Sequence, residues 1–136
     1  MNPIEMNTET LKEVLAASVA GTMSFPAVVG ALLAQGVESY RIDYVRMEST
    51  YYFPDGQSHV EPVPLPHQPV ADSFSAPGVQ AAIREAQSGT VKYPAFSRLA
   101  MESGTANYVA YLTGRKVIYF GRNGDLHIEH FPAPVA

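Results

Sequence analysis

Two short patterns in this 136-residue chain set acid–base and metal-binding side chains two residues apart: His59-Val60-Glu61 and His127-Ile128-Glu129, the second followed by His130. In an extended strand, residues i and i+2 project from one face, so each His stands beside its Glu while His130 points away. Neutral imidazole and carboxylate oxygen are ordinary ligands for Zn²⁺, Mn²⁺ or Fe²⁺. The same pair can work as general acid and base, the Glu holding its His in one tautomer. Either chemistry gains most if the two copies converge on one site; if they diverge, they are polar pairs on a solvated strand face. Three-residue patterns of this kind are common by chance. His59, Glu61, His127 and Glu129 are therefore ligand-binding candidates and only the weaker candidates for a metal. No catalytic role is assigned, and no metal or cofactor is expected. With no cysteine in the chain, disulfides, thiolate metal sites, a Cys nucleophile and the zinc half-site of a deaminase are all excluded.

The tyrosines are the second candidate. Tyr40, Tyr44, Tyr51, Tyr52, Tyr93, Tyr108, Tyr111 and Tyr119 make up eight of fourteen aromatics, most of them on predicted strands. Packing within the sheet accounts for such residues most simply. They also suit an amphipathic pocket or interface, with ring surface for burial and hydroxyls for orientation. A nucleic-acid platform would interleave them with basic residues; here Glu38, Asp43 and Glu48 are the neighbours. Arg115, Lys116 and Arg122 lie at turns, where charges are commonly just solvated, although they could grip an anion. No nucleophile elbow, phosphate loop or dinucleotide fingerprint is present.

The elements that must position these residues come in two sets. Residues 11–63 align on 79–131 at a constant offset of 68 without a gap, and ten of the 53 pairs are identical. They include Gly21/Gly89, Thr22/Thr90, Pro26/Pro94, Gly36/Gly104, Tyr40/Tyr108, Tyr51/Tyr119, His59/His127 and Glu61/Glu129. The chain thus reads as one domain, 1–136, built from two repeats around a pseudo-twofold axis. A proline-rich connector, 64–78, joins them in extended form. Each repeat begins with an amphipathic helix, marked by Leu11, Val14, Leu15 and Ser18 in the first and by Val79, Ala82, Ile83 and Ala86 in the second. Asn7, Thr8 or Thr10 can cap the first helix, and Gly21 and Gly89 suit its left-handed stop. A second short helix opens at Pro26 and Pro94 and ends at Gly36 and Gly104. An antiparallel meander follows: Ser39–Val45, Ser49–Phe53 and His59–Glu61, then Asn107–Leu112, Lys116–Phe120 and Leu126–Phe131. Asp55-Gly56 and Asn123-Gly124 form the hairpins. The expected class is α+β, helices packed on one face of antiparallel sheet. On the other face, Arg41 and Asp43 of the first repeat are matched by Val109 and Tyr111 of the second, an apolar pair that marks a covered surface or an interface.

Composition narrows the function. The 46% apolar and 16% charged residues describe a globular protein, and nine basic against thirteen acidic residues give −4, so no nucleic-acid partner is expected. Met1–Glu9 holds no Lys or Arg, and the longest nearly apolar stretch, Phe25–Ala34, is too short to span a bilayer. A cytoplasmic protein with no membrane partner is the expectation.

The stretch Tyr108–Phe131, YVAYLTGRKVIYFGRNGDLHIEHF, with the preceding YPAFSRLAMESGTA, resembles the YbcV-like proteins. These are bacterial and prophage-encoded chains of about this length, sometimes labelled phage envelope protein. The resemblance covers most of the chain and implies a genomic setting and a fold, but no catalytic residues. The leading expectation is a non-enzymatic interaction or accessory protein that meets a second copy of itself or another protein through Val109 and Tyr111. The alternatives are a small-molecule- or metal-binding protein or enzyme using the His-x-Glu pairs and, on the family label alone, a virion component.

Overall fold

The computed structural model describes residues 4–132; Met1–Pro3, the start of the stretch read for a leader, and residues 133–136 lie outside the described residues. Helix α1 (Thr8–Ala20) is capped by Asn7, whose side-chain oxygen accepts the Thr10 N–H at 3.1 Å. It buries Leu11, Val14 and Leu15 and stops at Gly21, which takes the left-handed φ of 77° that the terminal turn requires. Helix α2 (Phe25–Ala34) starts from a Ser24 cap with Pro26 in its first turn and buries Val28 and Leu32. Strands β1 (Ser39–Asp43), β2 (Glu48–Tyr52) and β3 (Ser58–Pro62) follow. The second half runs α3 (Ala76–Gln87), α4 (Tyr93–Glu102), β4 (Thr105–Tyr111), β5 (Lys116–Gly121) and β6 (Leu126–His130). Four helices and one antiparallel sheet make this an α+β protein, as the patterning predicts.

The six strands form a continuous sheet in the order β3-β2-β1-β4-β5-β6. At its centre Tyr40 pairs with Ala110, Arg41 with Val109 and Ile42 with Tyr108. Arg41 and Val109 are 68 residues apart, the same separation that aligns the two halves of the sequence. Two non-glycine residues have positive φ, Met47 at 53° and Arg115 at 56°, and they too are 68 apart, at the same hairpin position in each half.

Strand β1 ends two residues before the Val45 expected from alternation. The Asp43 carboxylate accepts the N–H groups of both Val45 and Arg46 and turns the chain out of the ladder. The proline-rich connector forms neither helix nor strand as far as Ser75, but its last residues, Ala76–Gly78, open α3, because Pro77 is tolerated in a first turn; the segment is also anchored. Ala71 N–H donates to the Met101 carbonyl, Ser75 N–H to the Ser103 carbonyl, and Arg122 pairs with Asp72. Its passage past Gly104 is close: a Cβ there would sit 2.4 Å from the Ser73 carbonyl oxygen, at a φ of +94°.

The helices lie on the face that carries Tyr40, Ile42, Tyr51, Tyr108 and Tyr119. On the opposite face one row crosses every strand: Val60, Thr50, Arg41, Val109, Ile118 and Ile128, each opposite the next. Val109 is 4% exposed but lies outside the core cluster beneath the helices. Arg41 and Ile118 stand directly opposite it on the flanking strands. Val109 thus offers little accessible surface, while Tyr111 remains partly exposed. The accessible apolar groups of this face lie further out, at Val60, Leu126 and Ile128. Among the described residues, no helix is long and apolar enough to cross a membrane.

Candidate functional site

The inner-face rows fix where the His-x-Glu pairs sit. One row reads His59, Tyr51, Tyr40, Ala110, Val117, Glu129, and the next reads Glu61, Ser49, Ile42, Tyr108, Tyr119, His127. Each pair does form: His59 Nε2 is 2.7 Å from Glu61 Oε1, and His127 Nε2 is 3.3 Å from Glu129 Oε1. The pairs, however, occupy the two edge strands. With a strand spacing of roughly 4.8 Å they are about 24 Å apart. The four side chains therefore build no common site, the divergent one of the two arrangements that the sequence leaves open. Glu129 is held further by Arg84 of α3, whose Nη1 donates to Oε2 at 3.1 Å. Among the described residues there is no group of three or more His, Cys, Asp or Glu side chains placed to hold a metal ion.

What the fold does bring together is tyrosine. Between the helices and the inner sheet face lies a cavity of about 750 Å³. Its floor carries Tyr40, Tyr51, Tyr108 and Tyr119, and Tyr93 enters from the start of α4. The rings are packed edge-on and tilted, with Tyr40 6.5 Å and Tyr119 5.3 Å from Tyr108, on either side of it. Val14, Leu15 and Val28 from the first two helices and Ile83 and Phe96 from the second two supply the apolar wall.

The hydroxyls divide into two groups. Tyr93 and Tyr108 bond each other at 2.9 Å, and the Tyr44 hydroxyl donates to Ser97 Oγ at 3.0 Å just beneath. Tyr40, Tyr51 and Tyr119 have no hydrogen-bond partner among the described residues, although they are only 5%, 2% and 6% exposed. Among the described residues, the fully enclosed side-chain polar atoms without partners are Ser49 Oγ and Thr105 Oγ1, so these three phenol oxygens reach open space, and all three line the cavity. Burial, reinforced by neighbouring tyrosines, holds the Tyr40 and Tyr108 phenols well above their ordinary pKa of 10.0. Burial likewise pushes Tyr51 up to about 12. The floor is thus a set of neutral O–H groups in an apolar setting.

The two loops that join the paired helices also line the cavity. Gly21–Ser24 meets Gly89–Lys92, with the Lys92 stem packed so close over Gly21 that a Cβ would come within 3.1 Å of it. Phe25 meets Phe131 edge-on at 5.6 Å, and the Arg115 guanidinium lies over the Phe131 ring, 5.6 Å from its centre. Glu129, His130 and Phe131 complete this part of the lining. The sequence identifies the tyrosines as pocket candidates but not these loops. Their trace was present all the same, because Gly21/Gly89 and Thr22/Thr90 fall on them and Pro26/Pro94 follow in the first turns of α2 and α4.

Four helices over one face of a six-stranded antiparallel sheet, with a phenol-floored cavity between the two layers, describe a small α+β protein. The chain belongs to the DUF1398 family, described as protein of unknown function, whose model matches residues 25–130. That span includes every strand and leaves α1 outside. No curated protein matches the chain.

Proposed function

We propose that the protein is a non-enzymatic binding module, an accessory protein of the prophage setting that its YbcV-like sequence implies. Its ligand is a small, mostly apolar organic molecule held between helices and sheet. The observation that carries this reading is the cavity of about 750 Å³, within the roughly 300–1,000 Å³ typical of small-molecule sites. Its apolar walls and few convergent hydroxyls are the composition that such sites use. Two features speak against catalysis: the His-x-Glu pairs stand on opposite edges, and phenols this deeply buried act as neutral donors rather than bases. Titration with Nile red, a neutral fluorophore, tests the reading. It should bind saturably, one per chain. Val28→Phe, which puts bulk into the cavity, should weaken that binding by about tenfold, some 1.4 kcal/mol, with the far-ultraviolet spectrum unchanged. Absence of binding, or equal binding by the variant, contradicts the reading.

A second reading keeps the expected homodimer and concerns the outer sheet face. It is favoured by the 48%, 51% and 41% exposure of Val60, Leu126 and Ile128 on an unroofed sheet. Tyr111, between Ser39 and Lys116 on that face, is the residue to change. Tyr111→Lys should turn a dimer into a monomer in sedimentation velocity, and a wild-type protein that is monomeric at all concentrations removes this reading.

A further inference from the structure

The chemistry of the cavity floor narrows the ligand class. One of the Tyr93 and Tyr108 hydroxyls donates to the other. The Tyr40 and Tyr119 side chains flank Tyr108, more than nine-tenths buried, and their hydroxyls open onto the cavity without a protein partner. An apolar ligand that displaced water from the cavity would leave these donors unpaired, at a cost, unless it carried an acceptor for them. The charged groups that line the cavity are Lys92 and Glu129, and Glu129 is already tied to Arg84 and His127. Lys92 is the one Lys or Arg among the described lining residues, so a carboxylate or phosphate lodged against the tyrosines would be desolvated with little compensation. The faces of Tyr40, Tyr93, Phe96 and Tyr108 present aromatic surface to whatever lies between them, and aromatic rings pack against one another in tilted and offset arrangements.

Resting on the reading of this cavity as a binding site, we propose that it takes a neutral, flat, ring-containing molecule bearing carbonyl or ether oxygens, whose acceptors are met by the free hydroxyls of Tyr40 and Tyr119. Both residues bind by donation, and neither reacts. The ring system displaces water from the apolar walls, and the oxygens set its orientation about Tyr108.

Three probes of nearly the same shape separate the contributions: fluorenone, the hydrocarbon fluorene, and fluorenecarboxylate, each followed by quenching of tyrosine emission. Fluorenone should bind about tenfold tighter than fluorene, the effect expected of one or two hydrogen bonds formed in an apolar site. Fluorenecarboxylate should bind most weakly. The double variant Tyr40→Phe/Tyr119→Phe should remove the preference for fluorenone while leaving fluorene binding intact. Equal affinity of fluorenone and fluorene for the wild-type protein overturns the ligand class and leaves the cavity reading standing. So does a preference that survives in the double variant, or tightest binding of the anion. Failure of all three probes to bind overturns both. The wild-type ranking decides the matter even if the double variant does not fold.

Discussion

At the scale of single residues, the two sets of phenols should respond differently to loss of a hydroxyl. Tyr44→Phe leaves Ser97 Oγ buried without its donor and should cost about 1–3 kcal/mol in urea unfolding. Tyr40→Phe removes a hydroxyl with no protein partner and should change stability by less than about 0.5 kcal/mol. Alkaline pH probes the floor as a whole. Phenols whose folded-state pKa is raised, Tyr51 to about 12, bind their proton more tightly folded than unfolded. Their contribution is complete below the ordinary value of 10.0 and is lost as pH rises from there through about 12. Chemical unfolding followed from neutral to strongly alkaline pH should show stability falling steeply only above about pH 10, in step with phenolate absorbance. A flat profile would mean that the tyrosines titrate normally. The side-by-side placement of His59 with Glu61 and of His127 with Glu129 was legible in the sequence, because i and i+2 share a strand face. Their separation was not legible, since nothing local to either tripeptide says which strand lies at an edge.

At the scale of elements, most of the signals were local and therefore readable. Gly21, Gly36, Gly89 and Gly104 stand at positive φ after the helices, and Pro26 and Pro94 sit in first turns, where a missing N–H goes unnoticed. Asp55-Gly56 and Asn123-Gly124 turn the hairpins, each Gly near φ 90°. The early end of β1 was missed because the Asp43 carboxylate competes for the backbone N–H groups that strand alternation assumes are free. The connector's role was also hidden: its prolines announce an extended chain, but not that Ser73 lies against Gly104 and Phe74 against Gly121. Gly104→Ala tests that contact. It forces a Cβ into the Ser73 carbonyl at a left-handed φ, and should destabilise by about 3 kcal/mol or more. Gly56→Ala, with an equally left-handed φ but open space around it, should cost only about 1–2 kcal/mol. Thermal unfolding of the two variants side by side separates packing from backbone strain; equal losses would mean that the connector is not held there.

At the scale of the whole molecule, the decisive event is the pairing of β1 with β4, which joins two three-stranded meanders into one sheet and sends the His-x-Glu pairs to its far edges. The partners are 64 to 72 residues apart in the chain, from Asp43 with Asn107 to Ser39 with Tyr111, and long-range pairing leaves no local signature in composition or periodicity. The same event sets Tyr40 beside Tyr108 and brings both interhelical loops onto one cavity, so the cavity, too, is a property of the assembled halves. The α+β class was legible from the order of elements, and the tyrosines from their number. The enclosed space was not legible, because the sequence does not show how far four helices stand off a sheet. The measurement that tests the central claim most directly is chemical-shift mapping of the isotope-labelled protein during titration with fluorenone. Ligand in the cavity should shift Ile42, Tyr108, Val117 and Tyr119 together with Gly21 and Gly89 of the interhelical loops, leaving Val60 and Ile128 still. Shifts confined to Val60, Leu126 and Ile128, or none at saturating probe, would contradict it.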